Sequence, residues 1–290
     1  MGSSQWVMSW SAGSVGPMSA EPRPDRSPLT RWPRAVVTGA SSGIGDAIAR
    51  RLAAEGSDLV VVARDTGRLD QLAEELTESH GIDVEVLGAD LGDPGGRSTV
   101  EVRLADSDRP VDLLVNNAGF GTNGRFAELP VDHEEQQVQV NVIAVQRLTS
   151  AALGPMVGRG HGHVLNIASV AALYPVPGSA TYAATKAFVC SFSDAVHEEL
   201  RGTGVVVTSS LPGFTRTEFQ ERAHWDGQSN LPSFAWLAAD EVARESLDGT
   251  WAGRARVVPA RRYQVVTAAT APIPPVVKRW VMGRAQDLAW

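Results

Sequence analysis

The sequence predicts an α/β fold, a doubly wound parallel sheet of about seven strands with helices on both faces. Three observations carry that prediction. From Arg34 onward, short β-branched runs alternate with helical patterns. The runs are almost continuously apolar, as strands covered on both faces require. No internal repeat divides the 290 residues, a length that one sizeable domain accommodates.

Strands are expected at Ala35–Thr38, Asp58–Ala63, Val84–Gly88, Val111–Asn116, Val164–Ser169, Val205–Leu211 and Val257–Pro259. Helices are expected at Asp46–Glu55, Gly67–His80, His133–Val157 and Tyr182–Gly202. Right-handed crossovers between such strands place ligands at their carboxyl ends. Residues 1–31, rich in Ser, Gly and Pro, are expected to form a disordered leader. Met18 offers an alternative start, which would make residues 1–17 foreign to the native chain. The folded domain is expected over residues 32–262, followed by a tail over residues 263–290.

Composition narrows the function. A net charge of −7 disfavours nucleic acid, whose phosphates need a basic face. The single cysteine, Cys190, allows neither an internal disulfide nor a thiolate metal site, and no metal is expected. A lone thiol fits a reducing compartment, and the expected location is cytoplasmic. No stretch reaches the ~18 apolar residues of a membrane span. Only two of the 26 basic residues are lysines, Lys186 and Lys278.

The first strand runs into Thr38-Gly39-Ala40-Ser41-Ser42-Gly43-Ile44-Gly45 and then a helix. Glycines there let the backbone turn sharply and approach a pyrophosphate closely, while the helix N-terminus presents free N–H groups to it. An ordinary βα loop is the bland alternative, and position between first strand and first helix favours the phosphate site. The spacing Thr-Gly-x3-Gly-x-Gly resembles the short-chain dehydrogenase/reductase family, in its compact single-domain branch. That resemblance covers roughly Arg34 to Pro259 and implies a Rossmann-type sheet binding a nicotinamide nucleotide.

The second strand ends at Ala63, where an acidic residue would accept from ribose hydroxyls and mark NAD; Arg64 follows instead. Its guanidinium suits a 2′-phosphate, so NADP is expected ahead of NAD. A solvated arginine neutralised by Asp65 is the competing reading. Asp90 and Leu91 resemble the family's adenine-contacting pair, though a helix cap would also explain Asp90. Asn116-Asn117-Ala118-Gly119 follows the fourth strand; in the family this run steadies the sheet, with Asn117, Ala118 and Gly119 lining the cofactor cleft. Pro212, Gly213 and Thr215, with Thr217 nearby, resemble the loop that holds the nicotinamide carboxamide.

Tyr182-Ala183-Ala184-Thr185-Lys186 is the decisive motif. With three tyrosines and two lysines in the chain, random placement yields about 0.02 such pairs. Residues i and i+4 share a helix face, so phenol and ammonium can address one cleft. Reduction of a carbonyl needs a proton on oxygen, and a phenol near pKa 10 is a poor donor until neighbouring positive charge lowers that value. Ser169, thirteen residues earlier, occupies the family's position for orienting the substrate oxygen, and Asn141 its structural asparagine, which joins the lysine to a proton relay through water. The expected catalytic set is therefore Asn141, Ser169, Tyr182 and Lys186, with Tyr182 and Lys186 also touching cofactor.

The expected activity is NADP(H)-dependent interconversion of an alcohol and a ketone or aldehyde on a small-molecule substrate, with an apolar one among the candidates. An NADP-binding regulatory or scaffolding protein is the alternative; it would expect damage in the tetrad, and none is visible. Nucleotide-sugar epimerases share the Tyr-x3-Lys pair but carry a G-x-x-G-x-x-G turn and a larger C-terminal domain. Trp225, Phe234 and Trp236 either line a substrate lid or pack on the domain. A homodimer or homotetramer is expected through the helices bearing Asn141 and Tyr182, with apolar positions at Val138, Val142, Val145, Leu148, Phe188 and Phe192. The tail carries Arg261, Arg262, Lys278, Arg279 and Arg284 against Asp287 alone. Beyond Pro272, Pro274 and Pro275, Val276, Val277, Trp280, Val281 and Leu288 recur at helical spacing, so a basic amphipathic helix ending at Trp290 is expected. Its apolar face either packs on the domain or a neighbouring subunit, the favoured reading, or rests on an anionic membrane.

Overall fold

The computed structural model describes residues 30–223, 225 and 232–287. The sheet is parallel throughout, in the order β3-β2-β1-β4-β5-β6-β7. Its strands are β1 (Arg34–Thr38), β2 (Asp58–Ala63), β3 (Val84–Gly88), β4 (Leu113–Asn116), β5 (Gly162–Ile167), β6 (Val205–Ser210) and β7 (Arg256–Val257). The helices are α1 (Gly43–Ala54), α2 (Thr66–His80), α3 (Pro94–Ala105), α4 (Val131–Val138), α5 (Val145–Arg159), α6 (Ala180–Glu199), α7 (Phe219–Arg222), α8 (Ala239–Trp251), α9 (Arg261–Thr270) and α10 (Pro275–Asp287).

Strand side chains alternate between two cores, as a period of two dictates. Ala35 and Val37 of β1 with Leu59 and Val61 of β2 face Ile48 and Leu52 of α1, Leu69 and Leu72 of α2, and Leu247 of α8. Val36, Val60 and Val62 face Val100 and Leu104 of α3 and Leu148 and Ala152 of α5. The continuous apolar runs are thereby explained: both faces of the sheet are covered. Strand order reverses between β1, which pairs with β2 and β4, and the crevice at that switch point receives the loops after β1 and β4.

Several expected boundaries move. Strand β4 begins two residues later than the apolar run suggests, β5 begins and ends two residues earlier, and β7 is confined to Arg256 and Val257. The long helix expected over His133–Val157 is α4 and α5 joined by a π-helical stretch over Gln139–Ala144. Helix α3 hides its pattern by burying two arginines. Arg97 Nη1 donates to the carbonyls of Leu91 and Gly92, and Arg103 Nε donates to Glu85 at 2.9 Å.

Residues 1–29 of the expected leader lie outside the described residues. Thr30 and Arg31, placed at its end, are anchored: Thr30 Oγ1 donates to the Glu55 carbonyl at 2.9 Å, and Arg31 pairs with Glu55 and Asp248. The boundary expected after residue 262 falls inside α9. Of the apolar positions expected on an oligomer face, Val145 and Leu148 are instead core residues, because those turns of α5 face the sheet. Phe188 and Phe192 stack on each other on α6, with Phe188 exposed.

Candidate active site

The turn after β1 is shaped by close approach. Gly39 has φ +66°, and a Cβ there would lie 2.9 Å from both the Ala118 Cα and the Asn117 side chain. At Gly45 a Cβ would meet the Gly39 carbonyl oxygen at 2.2 Å and Asn117 Nδ2 at 2.4 Å. Ser41 and Ser42 lie between, Ser42 capping α1 with extended backbone and no side-chain bond to the helix turn. Asn117 braces the same turn: its Nδ2 donates to the carbonyls of Thr38 and Gly39 at 2.9 and 3.2 Å. The Thr38 hydroxyl accepts from the N–H groups of Asn117 and Ala118. A glycine cradle at the N-terminus of a twelve-residue helix, braced from the strand across the switch point, suits the pyrophosphate of a dinucleotide.

Asn116 turns the other way, into the sheet, where its Nδ2 donates to Thr149 and Asn166. Of the Asn pair, one therefore holds strands to α5 and the other holds the cradle. Arg64, at the end of β2, has a side chain 73% exposed, with Asp90 Oδ2 at 3.9 Å. Asp65, suspected of neutralising it, instead caps α2 by accepting from the Arg68 N–H. Asp90 is no helix cap: its Oδ1 accepts from the Gly92 N–H, while Asp93 caps α3. Leu91 beside it is buried in the core.

The four tetrad positions converge. Tyr182 and Lys186 lie one turn apart on α6, the ammonium 5.8 Å from the phenol ring centroid. Lys186 is buried and donates to the Ile167 carbonyl at the end of β5 at 2.8 Å. Ser169, two residues on, shares a hydrogen bond with the Tyr182 hydroxyl and accepts from the Ala171 N–H. Asn141, fully buried in the π-helical stretch, accepts from the Phe120 N–H and donates to the Phe120 carbonyl and to Thr185 Oγ1 on α6. The solvent-facing alternative for Asn141 is thereby excluded. A Cβ at Gly119 would come within 3.0 Å of the Asn141 oxygen and 3.4 Å of Lys186 Nζ, so the loop after β4 closes directly over both.

Burial sets the electrostatics of the pair. It pushes the Tyr182 phenol up to about 12, against the Ser169 hydrogen bond, and pulls the Lys186 ammonium down to about 8. Each shift disfavours the charged form in a low-dielectric site. A positive group bound beside the phenol reverses the first shift and deepens the second.

The loop after β6 covers the cradle from above. Thr217 packs against Gly43, where a Cβ would approach its Cγ2 to 3.0 Å. Thr215 is buried, its hydroxyl donating to the Gly213 carbonyl, and Gln220 fixes its backbone. Gly213 admits the ring of Tyr263, whose hydroxyl accepts from the Phe214 N–H at 3.0 Å and donates to the Ala235 carbonyl. Phe219 of α7 meets the Tyr182 ring, centroids 5.4 Å apart, and abuts Gly121. Phe219, Gln220, Tyr263 and Tyr174 were invisible in the sequence, since no spacing ties them to the motifs. Trp225 and Trp236 form a cluster with Phe214, whereas Phe234 is 72% exposed and apart from it.

A dinucleotide cradle at a switch point, beside a serine, tyrosine and lysine brought together at one buried cleft, defines an oxidoreductase of the nicotinamide-nucleotide class. Residues 33–226 match the family model described as short chain dehydrogenase, and the chain belongs to that family, whose members use NAD or NADP. It is 35% identical over 199 residues to the very-long-chain 3-oxoacyl-CoA reductase of Anas platyrhynchos, covering 67% of this chain and 62% of that enzyme's length. Among solved structures, a short-chain dehydrogenase from Sphingobium yanoikuyae in complex with NADPH superposes with a TM-score of 0.75 at 37% identity, covering 82% of this chain and 94% of that one. A bulky-bulky ketone specific alcohol dehydrogenase from Comamonas testosteroni gives 0.72 at 33% identity, with 84% and 96% covered.

Proposed function

We propose that this chain is an NADP(H)-dependent oxidoreductase interconverting a secondary alcohol and a ketone, with Tyr182 as general acid and base. The observation that carries the reading is the convergence of Ser169, Tyr182, Lys186 and Asn141 from three separate elements, with Asn141 and Lys186 both facing Gly119.

The residues divide the work as follows. Gly39, Gly43, Ile44 and Gly45, with the Ser41 and Ser42 hydroxyls, hold the pyrophosphate at the α1 N-terminus. Arg64 pairs with a 2′-phosphate, and Asp90, Leu91, Ala118 and Gly119 enclose the adenosine half. Pro212, Gly213 and Thr215 face the nicotinamide amide. The bound nucleotide supplies or accepts the hydride. In the reducing direction the Ser169 hydroxyl fixes the substrate oxygen, and Tyr182 gives that oxygen its phenolic proton as the carbon gains hydride. The products are an alcohol and a Tyr182 phenolate, which the neighbouring Lys186 ammonium stabilises. One of the three ammonium N–H donors is spent on Ile167, leaving two for a ribose and a relay to solvent. Asn141 is a positioning residue, fixing the loop after β4 and the start of α6 in one register.

The relatives act on 3-oxoacyl-CoA and on bulky ketones, and Phe219 beside Tyr182 adds an apolar wall, so the substrate proposed is a bulky or long-chain apolar ketone. A homodimer through α5 and α6 is proposed with it, on the exposed Phe188 and its stacked neighbour Phe192. The test is NADPH oxidation followed spectroscopically across 3-oxoacyl thioesters, bulky ketones and small aldehydes. Turnover in the first two classes that vanishes in Tyr182→Phe supports the reading. Tight NADPH binding with no turnover in any class would favour a regulatory role.

A further inference from the structure

The C-terminal helices present a face that the rest of the chain leaves uncovered. On α9, Val265 and Val266 are 67% and 51% exposed; on α10, Val276, Val277, Trp280 and Val281 are 61%, 42%, 59% and 49% exposed. The expectation that this face packs on its own domain is therefore corrected. The structure shows why: the body-facing side of each helix is already committed elsewhere. Tyr263 and Thr270 turn inward from α9, Thr270 to a 2.6 Å hydrogen bond with Tyr174, and Lys278 turns inward from α10 over the Tyr174 ring. At 100° per residue, Val276, Val277, Trp280 and Val281 share the opposite arc.

Charge decides what covers that arc. From Arg261 to Gln286 there is no acidic residue, and Arg261, Arg262, Lys278, Arg279 and Arg284 supply five cations. The tail 261–290 is at +4 with Asp287 counted, so with −7 overall the remaining chain is at −11. Lys278 is turned to Tyr174 and Arg262 to Trp236 and Glu241, so a twofold contact of this face with itself would set Arg261, Arg279 and Arg284 against their own copies, which disfavours a second copy as the occupant. An anionic bilayer meets every feature. Valines enter the acyl boundary and Trp280 sits at headgroup depth. Arg284, stacked on the Trp280 ring at 4.3 Å, has a stem that reaches lipid phosphate. Repulsion of the acidic body orients the protein with its tail down.

We infer that α9 and α10 form a docking surface for an anionic lipid bilayer. The consequence for the candidate site is positional. Tyr174 ends the turn that Ser169 begins, and Tyr263 pins the loop at Phe214, so the tail is fastened to two segments flanking the cleft. Docking thus holds the cleft close to the bilayer, where an apolar substrate partitions.

The test is co-sedimentation of the full chain with phosphatidylcholine vesicles, with and without about one third phosphatidylglycerol, at low and high salt. It reads binding without turnover, so it stands or falls independently of the redox assignment. The expected result is binding to the anionic vesicles alone, lost at high salt. Arg279→Glu with Arg284→Glu should weaken partitioning at least tenfold, since each cation near the surface contributes about a factor of five. Trp280→Ser with Val281→Ser should weaken it comparably. Both pairs should keep the wild-type melting curve and cofactor affinity, because these side chains touch neither core nor cleft. No binding to anionic vesicles at low salt overturns the inference. So does binding that either folded variant retains in full, or a loss of oligomers in the Trp280 variant without any vesicle binding.

Discussion

Arg64→Ala tests the residue proposed to select NADP over NAD. A charge-assisted hydrogen bond is worth ~1.5–3 kcal/mol, and a bidentate guanidinium–phosphate pair lies toward the upper end when dry. The Arg64 side chain is 73% exposed, so solvent screening places the loss near the lower limit, about 1.5 kcal/mol, or roughly tenfold in the KM for NADPH. NADH lacks the 2′-phosphate, and its KM should change less than about twofold by the same argument. Asp90, 3.9 Å from the guanidinium, sharpens the test. It competes with phosphate for Arg64, so Asp90→Asn should lower the KM for NADPH in the wild-type background and lose that effect once Arg64 is gone. Initial rates with both nucleotides, in the two single variants and the double, complete the cycle. Equal losses for NADPH and NADH, or additive effects in the double variant, would show that Arg64 does not read the 2′-phosphate.

Other outcomes follow from the same geometry. Tyr182→Phe should lower kcat by a factor of roughly 10²–10⁴ with NADPH affinity unchanged, measured by steady-state rates and fluorescence titration; near-wild-type kcat refutes the acid–base role. Gly45→Ala drives a Cβ to 2.2 Å from the Gly39 carbonyl, so the cradle must open; calorimetry should show dinucleotide affinity falling at least about tenfold, and wild-type affinity would remove the cradle from the site. His163, between Trp32 and Trp251, is held by burial down to about 4 from 6.5. Below pH 6.5 the unfolded chain takes up a proton that the folded chain refuses, so stability falls as pH drops toward 4, by up to ~3 kcal/mol. Denaturant unfolding of His163→Phe should lack that slope, and an unchanged slope would place acid sensitivity elsewhere. Light scattering at micromolar concentration should give a dimer, and a clean monomer refutes the proposed α5–α6 contact.

What was legible in the sequence is what chemistry forces into local patterns. Val36 and Val37 must both be apolar because a doubly covered strand has no solvent face, and that signal survives in one line of sequence. Gly39 and Gly45 are likewise forced, since any side chain would strike the backbone across the switch point. Tyr182 and Lys186 are readable because one helical turn joins them. Helix α3 was not, because Arg97 and Arg103 are buried by backbone carbonyls and a carboxylate supplied from other segments, which no period reveals. Asn141 could be named but its device could not: a π-helical stretch sets its amide between Phe120 and Thr185, which belong to distant segments.

The walls of the cleft belong to the same illegible class, for a reason that bears on specificity. Phe219 reaches Tyr182 from beyond the sixth strand, Tyr263 enters the space over Gly213 from the tail, and Tyr174 bonds Thr270 some hundred residues onward. Each contact joins segments distant in sequence, so no motif constrains them together. Conserving the tetrad while varying these walls is how one fold serves many substrates. On the proposed reading, the reaction is written in short-range spacing and the substrate preference in long-range packing. Tyr263→Phe separates the two: it deletes the hydroxyl that fixes Phe214 but retains the ring over Gly213, so KM for a bulky ketone should rise while kcat, set at Tyr182, holds. A fall in kcat with KM unchanged would mean that the tail acts on the chemistry itself.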